Sequence, residues 1–219
     1  MRYHYEPFNG TDEQWAAYVA LHNKAWPDFP TTESEARHEA ARWNRDFVKE
    51  RFLMTRDGLP LGHGTWCEPY WAPRAGKYHL DWFVDPDSGN GADAALGEFL
   101  VELVRPLSPE TLESDAREDQ TERLVWLAER GFTPVKQYNC SELSVAEFDE
   151  GPFAEKCARA VSNGLRVISV SEIRATYDDW LDRLYALNCA LVVDLPAPDP
   201  VVPEPRESFA ARFERPGHD

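Results

Sequence analysis

Residues 78–104, YHLDWFVDPDSGNGADAALGEFLVELV, constrain this chain more than any other stretch. The opening YHLDWFV alternates and is rich in aromatics, so it reads as a strand. DPDSGNG follows as a polar turn, and ADAALGEFLVELV reads as a helix. A strand that passes through such a turn into a helix brings the helix's unpaired N–H groups and positive dipole end to one spot. That spot favours a phosphate or pyrophosphate. Gly89 and Gly91 permit close backbone approach there. The bland reading is an ordinary strand–turn–helix connection. A third reading is a dinucleotide-binding fingerprint, which Gly89-x-Gly91-x-x-Ala94 matches literally. It fits poorly, because Asp85–Ser88 separate strand from glycines and the upstream pattern is a meander.

The flanking pattern gives the segment its context. Residues 2–8 predict a first strand. Thr11 opens a helix carrying Trp15, Tyr18, Val19, Leu21 and His22, which Pro27 and Pro30 end. Thr32 opens a second helix reaching about Trp43, with Glu33 and Glu35 in its first turn. Arg51–Thr55 and Leu61–Tyr70 are strands about the Asp57-Gly58 turn. After the long helix come a strand over Thr111–Ala116, a helix over Glu118–Arg130 closed by Gly131, and strands over Phe132–Tyr138 and Cys140–Val145. The order over residues 1–145 is β-α-α-β-β-β-α-β-α-β-β.

That order resembles the GNAT superfamily of acyl-CoA N-acyltransferases, and "LAERGF" at 127–132 is similar to a frequent ending of the family's fourth helix. The resemblance implies an α/β fold with a mixed sheet, and transfer of an acetyl group from acetyl-CoA to a primary amine of a small molecule or peptide. It places the family's acyl-CoA signature on Ser88, Gly89, Asn90, Gly91, Ala92 and Asp93, with the backbone N–H groups of Gly89 to Asp93 holding the pyrophosphate. It gives the backbone of Trp82, Phe83 and Val84 the pantetheine arm, and Gln120 a place beside the cofactor. Three positions depart from the family pattern. Ser88 replaces the signature's Arg or Gln, Asp93 puts a carboxylate where pyrophosphate belongs, and Leu127 stands where many members carry a proton-donating tyrosine. The competing reading is therefore a non-catalytic GNAT-like module serving as scaffold for a second, active copy.

Acid–base candidates come from alternation. Lys77, His79, Asp81 and Phe83 share one face of the fourth strand, so His79 and Asp81 are the candidate catalytic pair, with Glu113 next. A structural role is the more frequent one for such pairs. His63 and Cys67 share a face but are too few for a metal site, and no metal is expected. The four cysteines suit neither a zinc site nor a disulfide framework.

The theme restarts downstream. LRVISV at 165–170 predicts a strand, and 171–193 a helix with Trp180, Leu184, Leu187 and Leu191 on one stripe. A weak internal repeat of about 165 residues results. The expected organisation is a GNAT-like domain over 1–147, a linker over 148–164, and an incomplete second copy over 165–219, as in tandem members of the family. The net charge of −16 argues against nucleic acid as a partner. No long apolar run or signal-peptide pattern is present, so no membrane association and a cytoplasmic location are expected. A homodimer is left open.

Overall fold

The computed structural model describes residues 2–89, 91–139, 141, 143–197 and 199–214. They form two compact units: residues 1–133 with 192–219, and residues 134–191.

The first unit is built on a five-stranded sheet in the order β1-β2-β3-β4-β5. Its strands are β1 (His4–Pro7), β2 (Lys49–Arg56), β3 (Leu59–Cys67), β4 (Lys77–Val84) and β5 (Thr111–Ser114). The first four pair antiparallel, and β4 pairs parallel with β5. The β2–β3 hairpin turns on Asp57 and Gly58, both at positive φ (54° and 79°), the geometry that an Asp-Gly pair supplies. Between β1 and β2 lie α1 (Asp12–Ala25) and α2 (Glu33–Ala41). Thr11 caps α1 through the Gln14 N–H. Thr32 and Glu35 close a reciprocal capping box on α2, so both helices start where their sequences place Ser/Thr before acidic residues.

The parallel β4–β5 connection is α3 (Ala92–Val104). Leu96, Leu100 and Val104 pack with α4 (Thr121–Glu129), through Trp126 and Leu127, against Phe52, Met54, Trp66, Leu80 and Trp82 of the sheet. Each large side chain so buried contributes roughly 1.5–3 kcal/mol. Leu96 packs directly onto β3 where the strand presents Gly62 and Gly64, since a Cβ at either would stand 3.1 Å from a Leu96 methyl. The opposite face of the sheet carries a smaller cluster of Leu21, Leu53 and Phe83 under α1.

Residues 192–214 belong to this first unit. Val202 N–H donates to the Trp71 carbonyl (2.8 Å). Lys77 Nζ donates to Asp199 (2.7 Å). Glu204 is buried, bridged by Arg42 and Arg212. Phe209 of α8 (Arg206–Ala211) is buried as well.

Two expectations need correction. Residues 132–139 form no strand. Phe132 N–H returns to the Leu127 carbonyl to close α4, Pro134 has no N–H for a ladder, and Val135 and Tyr138 are about 70% exposed. Cys140 and Glu142, in the other expected strand, lie outside the described residues. Residues 165–169 also form no strand, so no β-α-α restart is seen. Ser169 and Glu172 instead form a capping box that sends Val170 into α6 (Val170–Thr176). The second unit contains α5 (Ala154–Ser162), α6 and most of α7 (Trp180–Val192). The expected boundaries at 147/148 and 164/165 fall inside it, and none of its described residues is buried.

Candidate active site

The β4–α3 turn leads to a helix start that has no side-chain cap. Gly89 sits at φ 80°, ψ 169°. Gly91 takes the left-handed conformation (φ 89°, ψ −8°) and caps α3 without any side-chain bond. The first N–H groups of α3, on Ala92, Asp93 and Ala94, have no intrahelical acceptor. A Cβ built on Gly89 or Gly91 meets nothing within 4 Å, so the space over these amides is open. Asn90, expected in this cradle, lies outside the described residues.

Charge around the turn is balanced. Lys24 of α1 bonds Asp85 (2.6 Å) and Asp87 (2.8 Å). Arg56 donates to the Ser88 carbonyl (3.2 Å), and Ser88 itself is buried. The Asp93 carboxylate turns away to α4, where the buried Arg123 guanidinium holds it through two bonds while stacking 4.3 Å above Trp82. The repulsion expected of Asp93 is therefore corrected: its charge is cancelled within the fold.

Beside the turn the sheet opens. The β4–β5 ladder runs from Lys77↔Thr111 to Leu80↔Ser114 and stops there. Asp81–Val84 continue with β3 on one side and, among the described residues, have no strand on the other. Among the described residues, the buried Trp82 Nε1 and Ser114 Oγ atoms have no hydrogen-bond partner.

The strand order suits one architecture, and structural comparison agrees. A protein provisionally assigned as a phosphinothricin N-acetyltransferase superimposes with a TM-score of 0.51 at 13% identity, over 60% of this chain and 82% of its own. The fold is GNAT. The ribosomal-protein-S18-alanine N-acetyltransferase from Escherichia coli gives 0.48 at 18% identity over 62% and 80% of the two chains. A tandem GNAT protein from the clavulanic acid biosynthesis pathway gives 0.49 at 15% identity over 59% and 43%. No family model and no curated protein matches the sequence.

On the α1 side of the GNAT sheet the acid–base candidates separate. Glu113 is committed to the buried Lys77 ammonium (2.9 Å), which also holds Asp199. The bond from Lys77 keeps the Asp199 carboxyl below its usual pKa range. His79 lies edge-on to Trp71 and faces Asp115 at 3.8 Å. Among the described residues it makes no bond to Asp81, so the expected pair is not formed. Asp81, next after the last ladder residue of β4, is exposed on this face. Trp82 has its side chain fully buried, and Phe83 fills the cluster under α1, so only their backbone faces the opening. Gln120 spends its side-chain oxygen on the Arg117 N–H (2.9 Å). Leu127 is core, without a hydroxyl. His63 and Cys67 are both buried: burial pushes the thiol up to about 12, and no cluster of three metal-ligating residues exists among the described residues.

Sequence reasoning missed Lys24, Lys49, Arg51 and Arg123. Lys49 and Arg51 were findable, since alternation on β2 places both with Leu53 on the α1 face. Arg123 on α4 and Lys24 on α1 meet their carboxylates only through tertiary packing.

Proposed function

We propose that this chain transfers an acetyl group from acetyl-CoA to a primary amine. The observation that carries the reading is the opening between β4 and β5 that leads to the uncapped N-terminus of α3. An extended amide-bearing arm would complete the unpaired edge of Trp82–Val84, as a β-ladder would. The N–H groups of Gly89 and Gly91–Asp93 would hold its pyrophosphate. The buried Ser114 Oγ, without a hydrogen-bond partner among the described residues, fits a polar ligand in the same cleft. When bound, the thioester supplies an acyl group activated toward amines.

Asp81 is the base. It lies on the acceptor face where the strands part, and among the described residues no bond holds it. Its carboxylate can take the proton that an ammonium must lose before attack. Glu113 and His79 are occupied elsewhere and act on position. Leu127 supplies no proton donor.

The test is thiol release from acetyl-CoA by the full chain with a panel of primary amines. Asp81→Asn should lower turnover by about 10²-fold or more while leaving acetyl-CoA affinity near that of the wild type. Equal turnover in Asp81→Asn removes Asp81 from the mechanism. Binding of acetyl-CoA without any amine-dependent release supports the non-catalytic reading.

A further inference from the structure

The α1 side of the sheet holds a cavity of ≈ 370 Å³ whose lining includes Tyr18, Trp43, Lys49, Arg51, Tyr70 and Trp71. Its charge is unusual for this chain. Acidic residues outnumber basic ones, 39 to 23, yet neither Lys49 nor Arg51 has a carboxylate partner among the described residues. Arg51 sits in a cage of aromatic faces, with its carbon Cζ 4.2 Å from Phe8, 4.6 Å from Trp15 and 5.0 Å from Tyr18. Its Nε–H donates to His63 Nε2 (3.3 Å). Lys49 Nζ lies 4.3 Å over Trp43. Both project from the same face of β2, two residues and about 7 Å apart along the strand.

The lining carboxylate, Glu39, is spent on Arg42 through two bonds (2.9 and 3.0 Å), and Arg42 reaches Glu204 as well. Aromatic faces hold a cation in place without cancelling its charge. Desolvation and their mutual repulsion lower the pKa of Lys49, and desolvation lowers that of Arg51. The arrangement is one a bound anion would complete. Arg51 pairs across β3 with Thr65, which pairs with Asp81. Two strand spacings, about 10 Å, therefore separate the backbone of the cationic subsite from that of the base.

We infer that Lys49 and Arg51 form an anion subsite and that the acceptor is a small amine carrying a carboxylate, of amino-acid type. The subsite takes the carboxylate, the aromatic walls take the side chain, and the amine is left toward Asp81. The cavity's size suits one small molecule. The inference rests on the acyltransferase reading for the word acceptor, but the subsite can be tested by binding alone.

The probes are free α-amino acids and dipeptides, each paired with its carboxamide, titrated into the full chain with tryptophan fluorescence as readout. Trp43 and Trp71 line the cavity and report on it. At least one carboxylate probe should saturate, at tenfold or more the affinity of its carboxamide. Lys49→Gln and Arg51→Gln should each shrink that ratio, and Arg51→Lys should keep part of it. Arg51→Gln could disturb its aromatic cage, so Lys49→Gln, outside that cage, serves as the independent variant. Equal affinity for acid and amide, or no saturation by any probe, overturns the inference. Saturation by dipeptides alone moves the subsite to a peptide C-terminus and overturns the free amino acid as acceptor. Selective binding without thiol release leaves the subsite standing and sinks the transferase reading. Release with amides or polyamines at the same efficiency does the reverse.

Discussion

At the scale of single residues, Arg123 and Asp93 show what the site requires. Arg123 is buried, stacked on Trp82, and its carboxylate partner is Asp93. Removing one member of such a pair strands a buried charge, which costs about 3 kcal/mol or more, whereas replacing both with apolar groups costs far less. Asp93→Ala should lower the urea midpoint accordingly, and Asp93→Ala/Arg123→Met should recover most of the loss. An unshifted midpoint in the single variant would show that the pair carries no weight. Asp93→Gly, which the sequence suggests would relieve a repulsion, instead deprives Arg123 of its partner. His63 makes a second residue-scale case. Burial first, then the charges of Arg51, Lys49 and His22, hold its pKa well below the ordinary value. The folded imidazole is thus neutral, while the unfolded chain takes up a proton as pH falls through about 6.5. Above that pH the group contributes nothing to pH dependence. Below it, stability falls by up to about 1.4 kcal/mol per pH unit. Melting temperatures between about pH 7.5 and 5 should therefore fall more steeply for the wild type than for His63→Gln, which keeps an acceptor for Arg51. Parallel curves would contradict the assignment.

At the scale of elements, α3 unites fold and site, because the helix that covers the sheet also presents the proposed anion cradle. Gly97 on this helix has no room for a side chain: a Cβ would stand 3.0 Å from the rings of Trp82 and Trp126. Gly97→Leu should cost about 2 kcal/mol through overpacking, read as a loss in denaturant midpoint. A gain would mean that helix propensity outweighs packing there. The elements that could be read from sequence carried local signals. Thr11 and Thr32 marked helix starts, Asp57-Gly58 marked the hairpin, and the alternation YHLDWFV marked β4. These suffice for the mixed sheet and for the place of the glycine turn. The misread elements had competing signals. Residues 132–138 alternate, but Pro134 has no N–H for a ladder and Val135 is 70% exposed. At 165–170 the apolar run hid the Ser169–Glu172 capping box. Within the site, Ser88, Gly89, Gly91 and Asp81 follow from position on the turn or strand. The demotion of His79 and Glu113 depended on Asp115, Trp71 and Lys77, partners set by tertiary packing.

At the scale of the molecule, the chain's last segment is part of the first unit. Asp199 holds Lys77, Val202 bonds the Trp71 carbonyl and Glu204 reaches Arg42; Trp71 and Arg42 line the proposed acceptor cavity. A chain ending at residue 191 should bind acetyl-CoA but lose the acid-over-amide preference, since Arg42 and Trp71 lose their anchors. An unchanged preference would show that the segment is dispensable. The second unit buries none of its described residues, and Val161, Leu165 and Val167 are each more than 60% exposed. Residues 134–191 alone cannot offset the entropy of ordering. They should show helical circular dichroism without a cooperative melt; a sharp transition would require a core that is not seen.

The central claim is that the opened β4–β5 edge and the uncapped α3 form an acyl-CoA site. Its most direct test is calorimetry of acetyl-CoA against the full chain. Binding should be saturable and one-to-one, and should weaken at least tenfold in Gly91→Val, where a branched side chain meets a φ of 89° at the head of α3. Absence of binding at millimolar acetyl-CoA, or equal affinity in wild type and a folded Gly91→Val, would contradict it.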